Sequence, residues 1–193
     1  MFARPNPRIP VRHARRLVVL ALLLLVGVPM QALVVPPVLA AENPSGLPLP
    51  RFATTRSTPI NVRLGPGTKY DVAWVYVKAG VPVEIVQEFD TWRKIRDFDG
   101  SEGWVHQNLL SGKRAGLVAP WRSGEQVPLR ARDAEDAGVR AWLGNGFRVE
   151  ISSCNGKWCS VIATTTQNGK AATYSGYLPQ ANLWGAYENE EFN

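Results

Sequence analysis

The stretch Asn61-Val62-Arg63-Leu64-Gly65-Pro66-Gly67-Thr68-Lys69-Tyr70 decides the fold. It opens with a short β-rich run, and Gly65-Pro66-Gly67 then combines the fixed φ of proline with two residues that tolerate positive φ. This order predicts a strand followed by a tight reversal of the chain. A structural turn is favoured here over a ligand contact.

Further β-rich runs, bounded by Gly and Asp, surround this stretch. From Phe52 onward, no window carries apolar residues at helical spacing for three turns, so the sequence predicts an all-β fold. Five short strands within about 50 residues are typical of a small β-barrel. The runs are Ile60–Arg63, Ala73–Val77, Val81–Val86, Trp92–Arg96 and Gly103–His106.

The same order of residues recurs about 66 residues downstream. Val62-Arg63 matches Leu129-Arg130, and Trp92 matches Trp158. Later matches are shifted further, because the polar tract at residues 164–170 lengthens a loop. The repeat predicts two copies of one module. A single mixed domain fits the length as well, but it would not explain the repeat.

The N-terminal segment has the order of an export signal. Five Arg precede the apolar run Leu17–Val28, which is followed by prolines and by Val38-Leu39-Ala40. We expect cleavage after Ala40. An uncleaved anchor remains an alternative, because residues 17–41 carry no charge and are long enough to span a bilayer. In either case the remainder is expected in an oxidising compartment.

These observations divide the chain into four predicted parts. The linker is rich in proline and lacks any strand or helix period, so we expect an extended tether. The parts are a signal peptide at 1–40, a Pro-rich linker at 41–52, a first domain at 53–118 and a second domain at 119–188.

The net charge of +6 comes mostly from the N-terminal segment. Residues 1–41 hold five Arg and no acid, so the remainder has 17 bases and 16 acids. A nucleic-acid partner is therefore not expected. His106 is the single histidine after residue 41, and no metal, cofactor or nucleophile motif accompanies it. We expect no cofactor, no metal site and no enzyme activity.

Cys154-Asn155-Gly156-Lys157-Trp158-Cys159 lies between two β-rich runs. A four-residue hairpin loop would place Cys154 opposite Cys159, within reach of a disulfide, and a redox-active pair is the alternative. The repeat offset of 66 aligns Glu88 and Arg93 with these cysteines. The first module is therefore predicted to carry an exposed, oppositely charged cross-strand pair at that position.

Asn61 to Tyr70 resembles the opening of a bacterial SH3-like domain, and the chain is similar to a family of exported two-module proteins of Gram-negative bacteria. The segments Trp74–Val77, Gly103–Gln107 and Leu183–Gly185 also fit, so the resemblance covers about residues 48–188. It implies two tandem SH3-like small β-barrels in the periplasm, with membrane contact only through an uncleaved N-terminus. It implies no particular activity.

In SH3 folds, a Trp that opens the third strand and a later Gly-containing segment line a groove for extended ligands. The resemblance therefore implies seven groove residues: Tyr70, Trp92, His106, Asn108, Trp158, Pro179 and Asn182. The expected function is non-enzymatic binding or scaffolding in the cell envelope, with peptidoglycan stem peptide or an extended periplasmic protein segment as ligand. A purely structural or stress-related accessory protein, without a ligand groove, is the alternative.

Overall fold

The computed structural model describes residues 43–167 and 169–193. The predicted signal segment lies outside the described residues. Within them, no helix is long and apolar enough to cross a membrane. Strands and two 3-10 turns make up the regular structure of this part of the chain, which confirms the all-β prediction.

The first sheet is antiparallel and contains seven strands in the order β3-β2-β6-β5-β4-β1-β7. A 3-10 turn, Gln107–Leu109, connects β6 to β7, its last two strands in chain order. The strands are β1 (Arg51–Thr55), β2 (Ile60–Arg63), β3 (Val72–Tyr76), β4 (Pro82–Phe89), β5 (Trp92–Arg96), β6 (Glu102–His106) and β7 (Leu110–Ser111).

The second sheet has the order β10-β9-β13-β12-β11-β8-β14, and β15 pairs with β11 off this path. A 3-10 turn, Gln180–Asn182, again precedes the closing strand. The strands are β8 (Ala115–Val118), β9 (Gln126–Arg130), β10 (Val139–Gly144), β11 (Arg148–Asn155), β12 (Trp158–Gln167), β13 (Lys170–Pro179), β14 (Leu183–Trp184) and β15 (Glu191–Phe192).

The two sheets share their strand order, since replacing each strand of the first by the one seven places later gives the second. Two irregularities recur as well. The pairing of β4 with β5 shifts between Ile85 and Gln87, and that of β11 with β12 shifts between Ile151 and Ser153. Such β-bulges bend a strand, so both sheets curl at the same point.

Successive side chains of a strand point to opposite faces, so each sheet has an inner face that forms a core and an outer face. In β5, for example, Arg93 and Ile95 point inward and their neighbours are only partly buried. The first core includes the fully buried Ile60, Val62, Val83, Ile95 and Val105. The second core includes Val118, Leu129, Val149, Val161 and Leu178.

The strand pairing divides the chain between β7 and β8, earlier than the predicted domain boundary after residue 118. β8 lies inside the range given to the first domain, yet it pairs with β11 and β14 of the second sheet.

The Pro-rich linker differs from the extended tether that was predicted. Its last two residues, Arg51 and Phe52, belong to β1, which pairs with β4 and β7. Further upstream, the Ser45 backbone N–H and hydroxyl both donate to the Glu88 carboxylate, at 2.8 and 2.7 Å. Leu49 packs against the first core. The described part of the linker is therefore docked on the first sheet.

Cys154 and Cys159 are joined in a disulfide and lie directly opposite each other in the β11–β12 hairpin, as the four-residue loop predicted. Reduction should lower the free energy of unfolding, because the disulfide restricts the unfolded chain. The loss should be only about 2 kcal/mol, because the ring that the disulfide closes is short. Chemical unfolding with and without reductant measures this difference.

The control for reduction is Cys154→Ser/Cys159→Ser, on which reductant should have no effect. Two reactive thiols in the oxidised native protein would contradict the assignment of a structural disulfide.

Candidate functional site

Trp92 and His106 form a cross-strand pair at one end of the first sheet. Trp92 opens β5 directly after the Asp90-Thr91 turn, and His106 closes β6 opposite it. Their ring centroids are 5.6 Å apart and the rings are nearly perpendicular, which is the favourable edge-to-face geometry. Both side chains are half-buried, so part of each ring faces solvent.

His106 also begins the 3-10 turn that follows β6. The backbone N–H of Asn108 donates to His106 Nδ1 at 3.3 Å. A nitrogen that accepts a hydrogen bond carries no proton, so in the neutral ring the proton is on Nε2. The Asn108 residue is exposed, beside the imidazole. The structure thus brings Trp92, His106 and Asn108 together.

Tyr70 is another of the predicted groove residues. It lies on the β2–β3 loop, and its ring packs against Gly65, where a Cβ would come within 2.7 Å of Tyr70 Cγ. Its carbonyl accepts from Arg63 Nη1 at 2.7 Å. Arg63 pairs with Trp104, which is roughly 7 Å along the strand from His106. Tyr70 therefore contacts its own loop.

The second sheet repeats the pair with different chemistry. Trp158 opens β12 opposite Pro179, which closes β13 and precedes the second 3-10 turn. Asn182 ends that turn, and its carbonyl accepts from the backbone N–H of Ala119 at 2.8 Å. Trp158 and Pro179 are half-buried, like Trp92 and His106.

Arg93 holds the backbone around Trp92 in place. Its Nη1 donates to the carbonyl oxygens of Asp90, at 2.8 Å, and Trp92, at 3.0 Å. Its Nη2 donates to the side-chain oxygen of Gln107 in the 3-10 turn. The guanidinium of Arg93, a residue that is 5% exposed, therefore fixes the backbone at Trp92 and the turn that follows His106.

Glu88 pairs with Arg93 across the β4–β5 hairpin, as the repeat offset predicted. The prediction that this pair is exposed is wrong, because Arg51 and Ser45 of the N-terminal segment cover the Glu88 carboxylate. Burial acts to raise the pKa of Glu88, but hydrogen bonds from Arg51 and Ser45 outweigh it and hold that pKa below its ordinary value.

A groove of about 320 Å³ lies on the second sheet, beside its edge strand β10. Trp142, 59% exposed, and Tyr174, 37% exposed, line it together with Phe147 and Thr165. Sequence reasoning missed these residues. Trp142 points outward from β10, and the sequence of that strand does not distinguish a binding site from ordinary surface.

A larger cleft, of about 850 Å³, is lined by strands of both sheets and by their connecting segments, and its lining includes Arg56, Lys113 and Arg148. Neither Trp92 nor His106 lines this cleft or the Trp142 groove. Within residues 43–167 and 169–193, no group of three or more His, Cys, Asp or Glu side chains could hold a metal ion.

Comparison with known proteins identifies one family. The model of the bacterial SH3 domain matches residues 56–112. No curated protein matches the chain. Two solved structures are similar in part, NlpC1 and NlpC2 from Trichomonas vaginalis, each 11% identical with a TM-score of 0.29. The alignments cover 71% and 70% of this chain and 46% and 48% of those proteins, so the chain spans about half of their length.

The family match covers β2 to β7, which include the Trp92–His106 pair and the 3-10 turn after it. Residues 56–112 of this chain therefore form a bacterial SH3 domain.

Proposed function

We propose that this protein is a non-enzymatic binding or scaffolding protein of the bacterial cell envelope, located in the periplasm and built from two tandem SH3-like barrels. The bacterial SH3 domain and the Cys154–Cys159 disulfide are consistent with an extracytoplasmic protein. The shared strand order of the two sheets supports the second barrel.

The observation that carries the proposal is the Trp92–His106 pair beside the 3-10 turn, with its counterpart Trp158–Pro179 in the second sheet. A half-buried aromatic ring fixed by a buried network offers a rigid apolar surface at little cost in entropy. The nearby Asn108 and the His106 ring provide polar groups for the backbone of a peptide. Peptidoglycan stem peptide, or an extended segment of a periplasmic protein, fits this combination.

The test is sedimentation of the protein with purified peptidoglycan sacculi. Trp92→Ala should weaken retention by about ten-fold or more, as for a central aromatic anchor. Trp158→Ala should show whether the second pair contributes. The matched control is Trp121→Ala, since Trp121 is 53% exposed and lies outside the pair.

A thermal melt of each variant separates binding from structure. If the aromatic rings serve only the cores, Trp92→Ala should destabilise the domain by about 3–5 kcal/mol. In that case retention would fall only because the protein unfolds. Unchanged retention by folded Trp92→Ala would refute the proposed site, and the purely structural alternative would then account better for the Trp92–His106 packing.

A further inference from the structure

We call the cleft between the two sheets the inter-sheet cleft. One wall comes from the end of β1 and the segment before β4, with Thr54, Arg56 and Gly80. The opposite wall comes from β8 and β11, with Arg148 and Glu150. Its volume, about 850 Å³, is in the range of small-molecule and peptide sites. Both sheets belong to one compact unit, so the walls face each other within it.

The lining of the inter-sheet cleft is rich in cations. It contains four basic side chains and one acidic side chain, whereas the chain after residue 41 is nearly balanced at 17 bases and 16 acids. The basic residues are Arg56, Lys113, Arg114 and Arg148, and the acid is Glu150. A concave surface with one dominant sign focuses its field and concentrates ligands of the opposite charge.

Most of this positive charge is not neutralised by the protein. Arg114 is paired with Glu190, at 2.8 Å, and so contributes little to the surplus. Arg148 approaches Glu150 only to 4.0 Å, with both side chains exposed. In the described ranges, neither Arg56 nor Lys113 makes an ion pair. Two exposed cations therefore remain for a ligand, with Arg148 as a third.

Arg148 is positioned across the cleft rather than extended freely into solvent. It belongs to β11 of the second sheet, but its guanidinium lies against the backbone of Gly80 beside the first sheet. A Cβ on Gly80 would come within 2.8 Å of Arg148 Nη1, and Gly80 has a φ of +78°. The Gly80 backbone N–H donates to the Thr55 carbonyl at 2.8 Å, which fixes this contact surface.

The rest of the lining is mixed, which favours a peptide over a simple inorganic anion. The lining includes apolar side chains such as Ile151 and Phe192 and the hydroxyl residues Ser111 and Ser152. Hydroxyls suit the amide groups of a peptide backbone, and the apolar surface suits its carbon chain.

We infer that the inter-sheet cleft is a second binding site, which takes a short acidic peptide through its carboxylates. Arg56, Lys113 and Arg148 contact the carboxylates, and both sheets contribute to one site. This inference goes beyond the proposed function and is independent of it, because no residue of the Trp92–His106 pair lines the cleft.

The experiment is calorimetric titration of the native protein with a tetraglutamate peptide that has blocked ends. We expect saturable binding at one site, weakened as salt rises because charged groups carry it. Arg56→Gln/Lys113→Gln should lower the affinity about ten-fold or more. The matched control, Arg132→Gln/Lys157→Gln, makes the same charge change at two exposed cations outside the lining and should leave the affinity within about two-fold.

Two further arms keep the outcome unambiguous. A tetraglutamine peptide should not bind, and inorganic phosphate at the same concentration should not displace tetraglutamate. Equal binding of the two peptides, equal displacement by phosphate, or equal losses in the cleft and control variants would each overturn the inference. Trp92→Ala should bind tetraglutamate normally, so failure of this site and failure of the Trp92 site are distinguishable.

Discussion

Glu88→Ala is expected to lower the free energy of unfolding by about 3–5 kcal/mol, because it removes one partner from a buried charge network. The Glu88 side chain is 0% exposed, accepts hydrogen bonds from Ser45 and Arg51, and forms an ion pair with Arg93 Nε at 3.1 Å. Without it, the guanidinium of Arg93, with a side chain 6% exposed, remains buried without its counter-charge. The N-terminal segment also loses its attachment to β4.

Urea unfolding of the variant and the parent measures this loss. Glu102→Ala is the matched control, since Glu102 pairs with Lys94 on the outer surface, with side chains 35% and 30% exposed. Surface pairs of this kind contribute about 0–1 kcal/mol. Similar losses of unfolding free energy in Glu88→Ala and Glu102→Ala would contradict the idea that burial makes the Glu88 ion pair the stronger of the two.

The pH dependence provides a second measurement on Glu88. Its pKa is held below the ordinary value of 4.5 in the folded protein, so the unfolded chain binds the proton more readily. Its contribution is therefore present above the unfolded pKa and is lost as pH falls through the lower folded pKa. Stability of the parent should decline on acidification below the ordinary value, and Glu88→Ala should reduce that decline.

Phe52→Ala should also cost about 3–5 kcal/mol, because it empties a packed site where the two sheets meet. Phe52 belongs to β1 of the first sheet and is 7% exposed. Its ring packs against Trp184, with centroids 5.0 Å apart, and against Tyr187, at 4.7 Å. Both partners lie in the C-terminal segment that closes the second sheet. The matched control is Phe89→Ala, because Phe89 is 58% exposed and should lose little.

The polar contacts around Phe52 indicate that both sheets should respond to this change. The Tyr187 hydroxyl donates to Glu84 Oε1 at 2.8 Å, while Arg96 donates to Glu84 Oε2. Burial and the neighbouring Glu84 raise the pKa of Tyr187, which keeps this hydroxyl protonated as a donor. Thermal unfolding followed by calorimetry should therefore show one transition shifted as a whole. Two transitions, of which only one moves, would contradict coupling of the sheets.

The sequence alone determined the features that depend on neighbouring residues. Alternating β-rich runs predicted β5 at Trp92–Arg96, and the four-residue loop predicted the pairing of Cys154 with Cys159. The repeat offset predicted the cross-strand position of Glu88 and Arg93. These predictions succeed because side-chain alternation and hairpin register follow from local backbone geometry.

Only the tertiary structure decided which of these residues are covered. Glu88 is buried because Ser45 and Arg51 fold over it, and the opposite-charge pattern alone did not distinguish this from an exposed pair. The sequence also did not predict the inter-sheet cleft, which Arg56 and Arg148 line. The physical reason is that the burial of Glu88 and the formation of the cleft depend on contacts between residues about 40 to 100 positions apart. A local sequence pattern contains no information about such contacts.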